Sequence, residues 1–106
     1  MTAAKPVGAV DFAYLEGFMA GDKGVVMEVL DLFRQQAEGW GPKLDPADPD
    51  WRDVLHTIKG AGRGIGAHAL GDICAAAEAE GAPGLPAVKA ALDAALADSA
   101  AYQARG

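Results

Sequence analysis

Apolar residues recur at three- and four-residue spacing along most of this chain, and strict apolar–polar alternation is scarce. Phe12, Leu15, Phe18 and Met19 predict one inward side of a short first helix over about residues 11–19, with Asp11 as its N-cap. Gly21-Asp22 breaks that helix. Asp22 can cap a second one from Lys23 to about Glu38, in which Val26, Val29, Leu30, Phe33 and Ala37 make a core-facing stripe. Residues 39–50 hold Gly41, Pro42, Pro46 and Pro49, too many breakers for a helix interior, so this stretch reads as a connection. A third helix starts after a capping Asp50 and ends around Gly66. The fourth runs from about Ala67 to Glu80 and buries Leu70, Ile73, Cys74 and Ala77. Gly81-Ala82-Pro83-Gly84 is a tight link. The last helix covers about Pro86 to Ala104, with Val88, Leu92, Ala95, Leu96 and Tyr102 inward and Pro86 in the first turn, where a missing N–H costs nothing.

Short links between the last three helices imply antiparallel neighbours. The expected fold is all-α, an antiparallel up-down-up-down four-helix bundle with a short extra N-terminal helix lidding one end. Residues 1–9 contain Pro6 and Gly8 and no periodicity, which reads as a flexible tail; residues 10–106 read as one bundle domain. Composition agrees. A chain of 106 residues, 51% hydrophobic but only 7% aromatic, suits a modest core of Ala, Leu, Val and Ile. Its alanine content favours helix, and its β-branched runs are as short as Val25-Val26.

Charge narrows the function. A net charge of −6 argues against nucleic acid, whose binding rests on neutralising phosphates with Lys and Arg, and against an anionic membrane surface. No apolar run approaches the length of a membrane span, and Met1-Thr2-Ala3-Ala4-Lys5-Pro6 lacks the apolar core of a signal peptide. One cysteine, Cys74, cannot form an internal disulfide, and the expected compartment is the cytoplasm.

Against that acidic background the third helix carries an unusual face. At about 100° per residue, with His56 as the zero direction, Lys59 lies about 60° to one side, Arg63 about 20° and Arg52 about 40° away. Trp51, Val54, Leu55, Ile58 and Ile65 gather on the far side as an apolar stripe. Gly60 and Gly64 fall about 40° and 80° from His56. Each is disfavoured by about 0.8–1 kcal/mol relative to Ala inside a helix, and each leaves bare backbone beside the imidazole. Neutral imidazole, with a reference pKa of about 6.5, is a good nitrogen nucleophile. Attack on a phosphoryl group is governed largely by positioning and charge. Lys59, one turn on, can reach the equatorial oxygens, with Arg63 and Arg52 supplying a softer positive field. The chain shows no nucleotide-binding loop, no kinase motif and no general-base partner for His56 at obvious spacing.

The run His56-Thr57-Ile58-Lys59-Gly60-Ala61, followed by Ile65-Gly66-Ala67, Leu70 and Ile73-Cys74, resembles the histidine-containing phosphotransfer (HPt) domains of two-component phosphorelays. The Gly21-Asp22 start of the second helix and the position of Phe33 are similar too, so the likeness spans about residues 10–104. It departs from the commonest pattern in having Ala61 where a serine often follows Lys-Gly, and in the number of glycines in the motif helix. The resemblance implies that His56 accepts a phosphoryl group from the aspartyl phosphate of a receiver domain and passes it to another receiver aspartate, framed by Lys59 and Gly60. It also implies that the chain has no cofactor of its own, the Mg²⁺ coming with the receiver. Response-regulator receiver domains and a hybrid sensor histidine kinase are the implied partners of a monomeric phosphoryl carrier, as distinct from a turnover enzyme.

Other readings stay open. A non-catalytic helical adaptor would keep the exposed face without needing the imidazole. The dimerising domain of a sensor kinase would be expected to precede an ATP-binding domain. A metal-dependent enzyme lacks ligands at useful spacing, since no Cys or carboxylate cluster accompanies His56 and His68. His68 reads as structural or superficial, Cys74 as a buried small hydrophobe, and Trp40 and Trp51 as core anchors.

Overall fold

The structure, a computed structural model, describes residues 9–105. Five α-helices follow one another: α1 (Phe12–Phe18), α2 (Lys23–Trp40), α3 (Trp51–Gly64), α4 (His68–Glu80) and α5 (Leu85–Arg105). Two 3₁₀ turns, Gly41–Lys43 and Ala82–Gly84, lead out of α2 and into α5. Helices α2 to α5 form the antiparallel four-helix bundle, and α3 packs most extensively on α4. The core joins Leu30 and Phe33 of α2, Leu55 and Ile58 of α3, Leu70 and Cys74 of α4, and Val88 and Leu92 of α5. Burying one such Leu, Ile or Phe side chain contributes about 1.5–3 kcal/mol.

Helix starts follow the expected chemistry with one exception. Asp11 Oδ1 accepts from the backbone N–H of Tyr14, and Asp22 Oδ1 from that of Val25, both at 3.1 Å. Asp50 occupies the N-cap position of α3 but makes no such bond. Its carboxylate instead faces Lys43 at 3.6 Å, while its own N–H donates to Asp48 Oδ1 at 2.8 Å. The connection folds back on itself and competes for the capping group.

Helix α2 runs two residues past Glu38, because Trp40 is buried edge-on against Phe33, centroids 5.7 Å apart, and holds the last turn. Helix α5 begins one residue before Pro86, at Leu85, which is buried. Trp51 is buried too. Ile73, Leu96 and Tyr102 are only partly buried at the edge of the core.

Helix α1 lies over the end of the bundle where α3 turns into α4. Phe12 stacks on Tyr102 of α5 at 4.2 Å, and the Tyr102 hydroxyl donates to Glu16. Val10 is buried, with its N–H donating to Asp98 at 3.2 Å, and Ala9 packs on the core; residues 1–8 of the expected tail lie outside the described residues. Phe18, expected on the inward side, is 68% exposed. It points about 95° away from the Phe12–Leu15–Met19 stripe, too far to share a face in a helix of two turns.

The α3–α4 turn depends on Gly66. Its φ of +86° is the left-handed region, its carbonyl accepts from Asp11 N–H at 2.9 Å, and an added Cβ would stand 2.7 Å from the Asp11 carbonyl oxygen. Gly66→Ala should therefore lower stability by about 2 kcal/mol, from handedness strain and the clash with α1 together. Gly60→Ala is the internal control: a Cβ there meets nothing within 4 Å, so the helix should gain up to about 1 kcal/mol. Urea denaturation of the two variants should separate them in sign.

Candidate functional site

The apolar stripe of α3 seats Trp51, Val54, Leu55 and Ile58 in the core, and the helix geometry then forces His56 outward. Its side chain is 75% exposed. Gly60, one turn on, is open on the same face, and a Cβ at Gly64 would also meet nothing within 4 Å. The imidazole stands beside bare backbone, as the periodicity predicts.

Helix α4 supplies what the sequence reading lacked. Glu78 lies opposite both charged groups of α3, with Oε1 2.6 Å from Lys59 Nζ and Oε2 3.6 Å from His56 Nδ1. The neighbouring Lys59 ammonium, and to a lesser degree His56, hold the Glu78 carboxyl below its usual range. Lys59 is only 22% exposed, its stem lying along the bundle and its charge directed at the carboxylate rather than at solvent. Glu78 follows Cys74 by one turn and adjoins the buried Ala77, so an acid at the margin of an apolar stripe was the available signal. Nothing along the chain says that this margin meets residues 56 and 59.

The two arginines are also engaged. The stem of Arg63 crosses Gly71, where an added Cβ would stand 2.6 Å from Arg63 Cγ, and its guanidinium approaches Asp72 at 3.7 Å. Helix α3 continues through Gly62 to Gly64, which fixes this direction; its last turn stops two residues before Gly66. The Arg52 guanidinium sits 4.3 Å from the centroid of the Trp51 ring. The four residues singled out in the sequence, His56, Lys59, Gly60 and Arg63, thus share one face with Glu78 and Asp72 set against it.

His68 lies apart, at the start of α4, 3.7 Å from Asp11 and edge-on to Tyr14, where it fastens α1. Burial pushes the Cys74 thiol up to about 11, so at neutral pH it is a protonated core residue. Among the described residues, no three His, Cys, Asp or Glu side chains group to hold a metal ion, and no helix is long and apolar enough to cross a membrane.

A depressed Glu78 carboxyl links this site to acid stability. Its contribution is complete above the ordinary value of 4.5 and is lost as pH falls through the lower folded value. Glu78→Gln should thus be less stable than wild type at about pH 7, and the difference should close at about pH 3. Urea midpoints at the two pH values measure it; a gap that persists in acid would contradict the linkage.

Comparison with known proteins is concordant. The model of the Hpt domain family matches residues 26–102. The crystal structure of histidine phosphotransferase ShpA from Caulobacter crescentus is similar with a TM-score of 0.85 and 58% sequence identity, covering 92% of this chain and 93% of that one. No curated protein matches. An amphipathic third helix with an outward histidine, in a bundle matched over more than half its length, shows that this chain belongs to the Hpt domain family.

Proposed function

We propose that the protein is a phosphorelay carrier in which His56 accepts a phosphoryl group from a receiver-domain aspartyl phosphate and delivers it to another receiver aspartate. One observation carries this reading: an imidazole 75% exposed, flanked by bare glycine backbone and backed by an ion pair. Phosphoryl transfer of this kind needs in-line approach by a large partner and little covalent machinery on the carrier. Gly60 and Gly64 give that approach. The likeness to a histidine phosphotransferase supports the same chemistry.

The reading assigns each partner its part. The receiver brings the aspartate and Mg²⁺, and a hybrid sensor kinase feeds the relay; Hpt proteins work with receiver domains and kinases of this class. The carrier acts as a cytoplasmic monomer, since each transfer requires one histidine and one visiting aspartate. Lys59, Gly60 and Arg63 frame the site. Its product, a phosphohistidine, is acid-labile.

Incubation of the purified protein with a phosphorylated receiver domain should transfer acid-labile label to it in one-to-one stoichiometry, and His56→Gln should abolish the label while leaving the helical circular-dichroism spectrum unchanged. Label retained by the variant would overturn the assignment. Receiver binding without any labelling of wild type would instead favour an adaptor.

A further inference from the structure

The stem of Arg63 is seated in a way that its charge alone does not require. It crosses α4 at Gly71, where an added Cβ would stand 2.6 Å from Cγ and 2.9 Å from Nε. Gly71 is a buried position inside α4, and glycine there is disfavoured relative to alanine, so the bare backbone makes room for the arm that lies across it. The head of that arm is free by comparison. Arg63 is half exposed, and its Nη2 stands 3.7 Å from Asp72 Oδ1, too far for a hydrogen bond. A guanidinium carries five N–H donors in a planar fork, which matches a carboxylate through two parallel bonds. Arg63 thus offers that fork to solvent on a stem already fixed by packing.

Position decides what the fork can meet. Glu78 is the residue of α4 that faces His56, and Asp72, beside the Arg63 head, precedes it by six residues. Six residues of helix are about 9 Å, and the seven from His56 to Arg63 about 10.5 Å. A phosphoryl group passing between two bonded atoms does not span that distance, so the fork stands on the same face but outside the reacting centre. On the reading that His56 is the phosphoryl acceptor, we infer that Arg63, seated on Gly71, is a specificity-determining residue that binds a surface carboxylate of the receiver domain at the rim of the docked complex.

Charge complementarity selects the carboxylate. The chain carries a net charge of −6, so the molecule as a whole repels an acidic partner, and a cation with donors to spare marks where one is accepted. The other basic side chains of α3 are committed: Lys59 lies 2.6 Å from Glu78 Oε1, and Arg52 covers the Trp51 ring. Asp72, 79% exposed, draws the Arg63 head outward without bonding it. A partner carboxylate with better geometry displaces Asp72 into water and opens nothing buried. Such a rim pair governs encounter and register more than the chemical step. A receiver that lacks the carboxylate gains nothing from the fork and still meets Asp72, which makes the contact selective.

Labelling by one phosphorylated receiver domain, followed over a range of receiver concentrations, separates docking from chemistry. Arg63→Ala should raise the half-saturating concentration by about fivefold, the effect of one exposed charge pair, and by more than any fall in the limiting rate. Gly71→Ala displaces the stem but leaves the charge in place. It should raise the half-saturating concentration too, and add nothing in the Arg63→Ala background. Neutralising the receiver's surface carboxylates one at a time, Asp→Asn or Glu→Gln, should find one whose loss matches Arg63→Ala and is not additive with it. Unchanged circular dichroism of each variant separates these effects from loss of fold. A limiting rate that falls while half-saturation stays put would move Arg63 into the chemistry and overturn the docking role. Wild-type half-saturation in Gly71→Ala would overturn the seat, and the absence of any coupled carboxylate would overturn the partner group. Failure of the functional reading shows separately, as a wild type that takes no label on His56 at any receiver concentration.

Discussion

The close packing of α4 on α3 is the constraint on which the site rests. Two missing side chains permit it. A Cβ on Gly62 would stand 3.1 Å from Leu70 Cδ2, tighter than side chains normally pack, and one on Gly71 would run into the stem of Arg63. With both positions bare, Leu70 and Cys74 reach the core, and the C-terminal half of α4 lies close enough for Glu78 to meet Lys59 and face His56. A wider spacing would leave Lys59 and Glu78 as separate solvated charges. The spacing of this helix pair thereby sets the electrostatics of the face it presents to solvent.

Those electrostatics differ from a simple cationic collar. Lys59 is paired with Glu78, Arg63 approaches Asp72, and Arg52 lies over Trp51. The pairs on the surface are individually weak, of order 0–1 kcal/mol, but they hold long side chains in defined places before any partner arrives. Conformational entropy is then lost on folding rather than on docking, which is where preorganisation helps a transient complex. His56 itself remains the exposed centre of this arrangement.

Much of this was legible along the chain, and the misses have a common cause. Periodicities of three and four located every helix, because burial of one stripe is a local property of sequence. The same argument placed His56 opposite Leu55 and Ile58. Glu78 escaped because its importance depends on the rotation and register of α4 against α3, which no single-helix pattern contains. Asp50 had the right residue type at the right position, yet Lys43 and the backbone turn at Asp48 took its carboxylate and N–H into other contacts. The three-residue spacing from Leu15 predicts Phe18 inward, and in a seven-residue helix the angular error has no further turns to expose it. Trp40 extended α2 through a tertiary contact with Phe33 that outweighs the helix-breaking tendency of Gly39.

The glycines of α3 separate into two kinds once the packing is known, and the separation bears on function. Gly62 is buried and close against Leu70, so its lack of a side chain is a condition of the fold. Gly60 and Gly64 face open space, and any Cβ there would be accommodated without a shift. Stability alone would favour alanine at both, by about 0.8–1 kcal/mol each. They lie on the flank of His56 that α4 does not cover, with Lys59 and Glu78 on the other. Retaining bare backbone at two exposed helical positions, at a total of about 2 kcal/mol, is intelligible if a second macromolecule must come within bonding distance of the imidazole from that side. The fold thus explains Gly62, while the approach of a partner accounts for Gly60 and Gly64, two residues to either side of it and on the opposite face.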